Sequence, residues 1–536
     1  MAQINARTAD TVAGRDRQRW YALFVCVAGG FVVFLDVSIV NVALPTISSH
    51  LHASQSSLQW IVSGYSLAFG LLLVPAGRLG DIAGHRMLFV IGLVVFVAAS
   101  AACGAAPTAT FLVISRIVQG AAGGVLTPQI SATIQQLFRG AERGRAFGYY
   151  ASIVAVSSAI GPLVGGALIA AFGAVDGWRA VFYVNVPIGL ALIPFAVRIL
   201  PRHVRSTGRR PGLDPAGVGL LGAGIALVLL PFIQGEWGGW RWWLLPGAAV
   251  VLTAFARRER RAADPVLDVR LFRSRSYTAG VSVITLYFAA FTPMFFIFTL
   301  LLQLGLGYSA IEAGVAITPF AAGAALSGVV AGPRAARYGR SLIAAGLLLM
   351  LAGFLGSALA IGLVPHHGTG WATLAPILIA GIGGGLVIAP NQSLALSDVP
   401  VTEAGTAGGL LQTGQRIGAS IGVAAVGSAF FTTLRGHGSF ADAYRSGIVV
   451  IAAITAAALL LALFDRHRAA ASATSTGSRP STGSSSQPSG ASTSATTTAP
   501  RTGARACATP GGPALPGPRA SESSLDRWDG SASRHA

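Results

Sequence analysis

Long apolar stretches recur along this chain, divided by short clusters of Arg, Gly and Pro. Most are near the roughly 20 residues that a helix needs to cross the hydrocarbon core of a bilayer. Fourteen such runs can be marked, at 21–46, 57–77, 87–105, 109–136, 146–171, 180–199, 214–233, 241–256, 279–302, 311–332, 341–362, 371–396, 404–433 and 446–464. Each predicts a membrane helix, so the expected fold class is all-α, a polytopic membrane protein with fourteen crossings grouped six, two and six. The pattern divides the chain into a cytoplasmic N-terminus (1–20), a six-helix half (21–199), a linker with two extra crossings (200–278), a second six-helix half (279–465) and a tail (466–536). Two six-helix halves suggest the repeat architecture of secondary transporters, with a central site between them.

Composition strengthens this picture. Of 536 residues, 53% are hydrophobic and only 11% charged, and the mean hydropathy is +0.64. Soluble chains are about one-quarter charged, so a soluble enzyme is excluded. The 38 basic residues are all Arg, with no Lys anywhere. A P-loop places a Lys on its phosphates and a pyridoxal enzyme needs one for its Schiff base, so neither chemistry is open to this chain. Transport would then draw on an ion gradient, or on a partner chain that binds ATP. Polar Met1 to Arg19, followed by an apolar run too long for a signal peptide, reads as the lead-in to an uncleaved first helix.

A net charge of +19 raises nucleic acid as a partner, but the positions of the arginines say otherwise. With the N-terminus inside, 26 Arg flank helices on the cytoplasmic side and only Arg179, Arg241, Arg435 and Arg445 lie outside. That asymmetry is the positive-inside signature, and only an even number of crossings preserves it. The basic residues are thus topology determinants, and no nucleic-acid partner is expected. Cys26, Cys103 and Cys507 are far apart, so neither a disulfide framework nor a metal site is expected, and no cofactor is implied. The Ser-, Thr-, Gly-, Ala- and Pro-rich tail after about residue 469 is too poor in large apolar residues to fold and is expected to be disordered.

Ionisable groups inside membrane helices are costly and point to function. Three lie deep: Asp36 in the first run, Arg116 in the fourth and Arg416 in the thirteenth. At about 1.5 Å per residue, Asp36 lies ~8 Å and Arg116 ~10 Å below the outer edge of the core, so the two share a depth. They could form a register-setting ion pair or a proton site. Desolvation makes the first a weak source of stability, and no other deep carboxylate is present. Asn41, Gln119, Gln412, Gln415 and Arg416 are candidate cavity-lining residues. Adjacent His366 and His367 read as a solvated turn, and Glu312 and Asp214 as carboxylates suited to helix N-termini.

Several segments resemble known motifs. Gly77-Arg-Leu-Gly-Asp81-Ile-Ala-Gly84-His-Arg86 resembles motif A of the major facilitator superfamily, Arg116-Ile-Val-Gln119-Gly120 its motif B, and Gly161-Pro162-Leu-Val-Gly165-Gly166 its antiporter motif C. LDVSIVNVALP (35–45), WRAVFYVNVPIG (178–189), QLGLGYSAIEAG (303–314) and AGTAGGLLQTGQRIGASIG (404–422) are similar to signatures of the fourteen-helix drug/proton antiporter family. The resemblance spans roughly residues 20–465. It implies a proton-coupled antiporter, not an enzyme, that exports small amphipathic, neutral or cationic compounds such as drugs or antibiotics from a bacterial cytoplasmic membrane, with both termini cytoplasmic. Its partners would be a small-molecule substrate, protons and the lipid bilayer; partner proteins are not indicated.

By this resemblance Asp36 and Arg116 would couple the proton, Gly77, Asp81, Gly84 and Arg86 would form a gate, and Gly161, Pro162, Gly165 and Gly166 a bend in helix five. Asp81 is expected against a neighbouring helix N-terminus, an attraction of roughly 0.3–2 kcal/mol. The chain departs from the pattern in three places. Ile82 replaces the usual basic residue of motif A, Ser157 stands where motif C often has Gly, and the second-half echo GPRAARYGR from Gly332 lacks an Asp. Other functions compatible with the residues are a dedicated exporter of an endogenous metabolite and an uptake symporter. A polytopic membrane enzyme is a third, but it would need acids or His clustered at one face.

Overall fold

The computed structural model describes residues 2–202, 212, 214–233, 237–262, 264–364 and 368–477. His366, His367 and the tail beyond Gly477 lie outside these. In order, the helices are α1 (Ala2–His50), α2 (Gln55–Ala83), α3 (His85–Gly104), α4 (Ala109–Leu137), α5 (Gly140–Tyr183), α6 (Asn185–Ile199), α7 (Pro215–Ile233), α8 (Leu244–Glu259), α9 (Arg275–Leu300), α10 (Ala310–Leu363), the single turn α11 (Thr369–Ala372), α12 (Leu374–Ala395), α13 (Ala404–Arg435) and α14 (Phe440–Gly477). The described residues contain no strand. Polar residues set the starts: the side chains of Ser54, Thr108, Ser274 and Ser309 accept the backbone N–H three residues on at the heads of α2, α4, α9 and α10. At α10 the cap is reciprocal, because Glu312 also accepts from the Ser309 N–H at 2.8 Å. That contact accounts for Glu312 as a helix-end carboxylate.

Twelve helices among the described residues are long and apolar enough to cross a membrane. The mapping onto the fourteen predicted runs is uneven. The α8 helix, with 16 residues, falls short of the length used for a crossing, and α10, with 54, takes in two predicted runs. In α10, Gly323 packs on Leu378 and Ile382 of α12 and Gly328 on Gly385, whereas Gly346 packs on Gly383 and Gly353 on Pro376 and Ala380. The first half therefore runs parallel to α12 and the second antiparallel, so the chain doubles back between Gly328 and Gly346. Likewise α5 is one run with a reversal at Gly173, whose φ of 79° favours glycine and brings Gly177 onto the backbone of Ile169.

Helices α1–α6 form one half and α9–α14 the other. The halves meet through α5 against α10 and α12, and through α13 against α2 and α4; α7 packs on α8, α2 and α13. Outward-facing apolar side chains, among them Ile91, Ile114, Leu190, Leu326, Leu359 and Leu460, are left exposed. This is the surface of a protein whose solvent is hydrocarbon.

Arginines from several connections meet at one end of the bundle, called the basic end below: Arg143 reaches Ser393, Arg275 and Arg340 share Asp465, and Arg78 lies near Glu259. There Asp214 takes two hydrogen bonds from Arg258, at 2.7 and 2.9 Å, tying the start of α7 to the end of α8. These bonds hold its carboxyl at about 2, below the ordinary value. The Asp missing from the second-half echo of motif A is replaced from elsewhere: Arg340 of α10 meets Asp465 of α14 at 2.8 Å, and Arg275 shares that acid at 3.2 Å. Helix α14 runs on past Asp465 to Gly477, so the first residues assigned to a disordered tail are helical.

Candidate functional site

Asp36 is fully buried where α1 meets α4 and α6. Arg116 Nη1 donates to Asp36 Oδ2 at 2.6 Å, and Gln119 Nε2 and Asn185 Nδ2 both donate to Oδ1 at 2.9 Å. The three-residue spacing of Arg116 and Gln119 puts both on one face of α4, where Arg116 Nη1 also reaches Gln119 Oε1 at 2.7 Å. The guanidinium is further held by the Ile61 carbonyl at 3.2 Å and lies over the Tyr65 ring, 4.2 Å from its centroid. Ser100 Oγ accepts from Gln119 and Asn185, and the Cys103 thiol donates to Gln119 Oε1 at 3.5 Å. Side chains or carbonyls from α1, α2, α3, α4 and α6 thus converge on one carboxylate. Oδ1 accepts two of these bonds and Oδ2 one.

Asn185 and Ser100 are residues that sequence reading passed over. A signal existed for the first, since Asn185 lies in WRAVFYVNVPIG, quoted as a signature without a role for its Asn. The same segment anchors the far end of the half: Trp178 is fully buried and Arg179 donates to the Gly104 and Ala106 carbonyls at 2.7 and 3.0 Å, closing the end of α3.

At the basic end Asp81 reaches across the two halves. Its carboxylate accepts the N–H groups of Gly405 and Thr406 at 2.9 Å each and the Thr406 hydroxyl at 2.7 Å, in the first turn of α13. A carboxylate there satisfies orphan donors and the positive end of the helix dipole. Close approach is possible because residue 77 is glycine: a Cβ would collide with the Gly405 carbonyl. Gly84, at φ 105°, is the single residue between α2 and α3. Beside the contact, His85 Nε2 lies 3.3 Å from Asp81 Oδ1 and its Nδ1 2.7 Å from Gln129 Oε1. Arg86 is half-buried in a groove with Met87, Val90, Ile91, Val197 and Arg202, and forms no ion pair with Asp81. The neighbour of Asp81 is therefore His85.

A second cross-half contact flanks the first. Gln135 Nε2 donates to the Leu396 and Val399 carbonyls at 2.9 and 3.0 Å, and Arg143 to the Ser393 carbonyl at 3.2 Å. Gly144 and Gly332 meet backbone to backbone. No sequence motif pointed to Gln135 or Arg143, because each matters only through a partner some 250 residues away or more.

The motif C residues keep α5 helical, and its break falls at Gly173. They pack closely: a Cβ on Gly161 would strike Ser38 of α1, and one on Gly165 would sit 3.0 Å from Ile39 Cγ1. Ser38 Oγ also donates to the Ser157 carbonyl at 3.1 Å. Gly166 is looser, with Ile311 Cγ1 at 3.6 Å, and Pro162 faces Gly314 of α10.

The five residues expected to line a cavity differ in their placement. Gln119 has no exposed surface because it belongs to the Asp36 cluster, and Gln412 is buried with Nε2 3.3 Å from Ser131 Oγ. Asn41 is exposed on α1, and Gln415 is half-buried. Arg416 is half-buried with its guanidinium 4.2 Å from the Phe69 centroid, a cation–π contact across the halves.

Residues 26–423 match the Major Facilitator Superfamily. Over 430 residues the chain is 38% identical to a probable actinorhodin transporter of Streptomyces coelicolor, covering 78% of this chain and 73% of that one. It is 32% identical to the tetracenomycin C resistance and export protein of Streptomyces glaucescens, over 76% and 75% of the two chains. Its fold matches the crystal structure of the human organic anion transporter MFSD10 with a TM-score of 0.61 at 15% identity, covering 83% of this chain and 99% of that one. The chain belongs to the Major Facilitator Superfamily, and it is a multi-pass membrane protein.

Proposed function

We propose that this Major Facilitator Superfamily chain is a proton-coupled antiporter that exports small amphipathic compounds, neutral or singly cationic and of the antibiotic class, from a bacterial cytoplasmic membrane. Fourteen crossings, with both termini and the basic end cytoplasmic, follow from the arginine distribution. The relatives described as a probable actinorhodin transporter and as a tetracenomycin C resistance and export protein support the substrate class. The observation that carries the coupling is the position of Asp36: it is the one carboxylate away from the ends of the apolar runs, and it is enclosed by Arg116, Gln119 and Asn185. Buried acids of this kind mark proton relays in transporters.

Alternating access needs two seals that open in turn. In the arrangement described here the cytoplasmic seal is closed by Asp81 on α13 and by Gln135 and Arg143 on the end of α12. Protonation of Asp36 weakens its hold on Arg116, which is also bonded to α2 through Ile61, and so links the proton to the helix that carries Asp81. The direct test is transport into everted vesicles with an imposed proton gradient. Wild type is expected to accumulate a fluorescent lipophilic cation when the lumen is acid, and Asp36→Asn to lose gradient-driven accumulation while remaining in the membrane. Full accumulation by the Asn variant would remove Asp36 from the coupling step.

A further inference from the structure

Of the two amides bonded to Asp36, Gln119 is committed at both ends. Its nitrogen donates to Asp36 and Ser100, and its oxygen accepts from Arg116 and Cys103. Reversing it would turn an amide N–H₂ toward a guanidinium, donor against donor. Asn185 is committed at one end only. Its Nδ2 donates to Asp36 Oδ1 and, at 3.3 Å, to Ser100 Oγ, while its Oδ1 is buried with no hydrogen-bond partner. An orphaned buried acceptor costs on the order of 1–3 kcal/mol, so its presence beside a coupling acid calls for a physical reason.

The reason lies in what a protonated Asp36 would need. Once neutral, the carboxyl group carries an O–H that must donate to something. Arg116 offers only donors, the Gln119 oxygen is occupied twice, and Ser100 Oγ already accepts from both amides. The other titratable or charged groups around the cluster are Tyr65 from α2, Cys103 from α3 and Arg416 from α13. The Tyr65 hydroxyl lies beside Gly123, and its ring face is what meets the guanidinium. That hydroxyl is unpaired as well, but among the described residues the Asn185 oxygen is the unpaired acceptor on a side chain already bonded to Asp36. Amide N and O are nearly alike in size, so turning the group over needs no repacking.

We propose that Asn185 is a positioning residue that serves both states of Asp36: its amide nitrogen donates to the carboxylate, and its amide oxygen, after the side chain turns over, accepts from the carboxylic O–H. The idea rests on Asp36 being the proton site. Because Asn185 is the first residue of α6, reversal of its side chain would report the protonation state to the junction of α5 and α6.

Infrared difference spectra of the purified full-length protein between high and low pH test this. Wild type should show a carboxylic C=O band, absent in Asp36→Asn, together with a displaced side-chain amide C=O band that is lost in both Asp36→Asn and Asn185→Leu. The carboxylic band should persist in Asn185→Leu but at a different frequency. Substrate-driven proton release should have its pH midpoint displaced by about one unit in Asn185→Leu, a tenfold change in proton affinity on the scale of one hydrogen bond to a charged group. Asn185→Ser, which can still donate and accept, should fall closer to wild type, and it carries the same readouts if the Leu variant is not recovered. A carboxylic band and midpoint unchanged in both Asn185 variants would overturn the inference alone. An unchanged difference spectrum in Asp36→Asn would overturn it together with the proton-site reading beneath it.

Discussion

Asp81 at the end of α2 and Thr406 at the start of α13 lie 325 residues apart in sequence and share two hydrogen bonds, backbone N–H to carboxylate at 2.9 Å and hydroxyl to carboxylate at 2.7 Å. The contact joins the two halves at the basic end, and it is set in an otherwise tight glycine interface of Gly77 on Gly405 and Gly409 on Leu73.

Breaking that contact should shift the protein toward opening at the basic end. Charge-assisted bonds of this type contribute roughly 1.5–3 kcal/mol, so Asp81→Asn should change the ratio of the two access states by at least tenfold. Thr406→Val, which keeps the N–H and loses one hydroxyl bond, should shift it less. Accessibility of single cysteines near Gly409 to a cytoplasmic-side reagent reads the change, and equal labelling in wild type and Asp81→Asn would contradict it.

Arg116 should matter for its charge first and its fork second. Arg116→Ala leaves Asp36 buried without its cation, a loss of the order of 3–5 kcal/mol, and should abolish transport with reduced recovery of protein. Arg116→Lys keeps the charge but cannot reach Asp36, Gln119 and the Ile61 carbonyl together, so partial transport with a displaced pH optimum is expected. Equal activity in the Ala and Lys variants would mean that the pair only sets helix register.

Glu259, at the end of α8, offers a stability test outside the membrane spans. Burial holds its carboxyl above the usual glutamate value, Oε1 has no partner, and Oε2 accepts a 3.4 Å bond from the Leu267 N–H. A carboxyl raised on folding favours the folded state below its unfolded value and loses that contribution as pH rises through the folded one. Glu259→Gln should therefore raise the melting temperature at pH 8 and leave it nearly unchanged at pH 4.5. Asp214, held low by Arg258, has the opposite sign: its contribution is present above the ordinary aspartate value and is lost as the pH falls through that value toward about 2.

Substrate charge is the fourth prediction. Each elementary charge moved through the membrane field is worth about 2.3 kcal/mol per 100 mV. The deep charges are one acid, already paired with Arg116, and Arg416, which lies on Phe69. Neutral or singly charged amphipathic compounds should be exported in preference to matched dications, as resistance assays with mono- and divalent lipophilic cations would read. Efficient dication export would mean that a further carboxylate takes part; Glu312, engaged in its capping box, would have to leave Ser309 to do so.

Much of this protein follows from residue order alone. Apolar runs of membrane length make helices because hydrocarbon offers the backbone no other partner. Asp36 and Arg116 could be paired from the sequence by depth alone, since position along a helix converts directly to height in the membrane. What depth could not supply was azimuth. Whether Gln119 faces a cavity or the acid, whether Asp81 answers to Arg86 or His85, and which acid serves Arg340 all depend on how helices rotate and cross. Those are set by packing between residues hundreds of positions apart, such as Gly77 on Gly405 and Gly144 on Gly332. The same holds for Asn185: its neighbours in sequence are apolar, and its bond to Asp36 exists only once α1, α3 and α6 are brought together. Sequence determined the apolar helices and the relative height of the deep charges along them because these are one-dimensional properties of a chain in a layered solvent. Tertiary structure decided the partners, because a hydrogen bond is made in three dimensions and within about 3 Å.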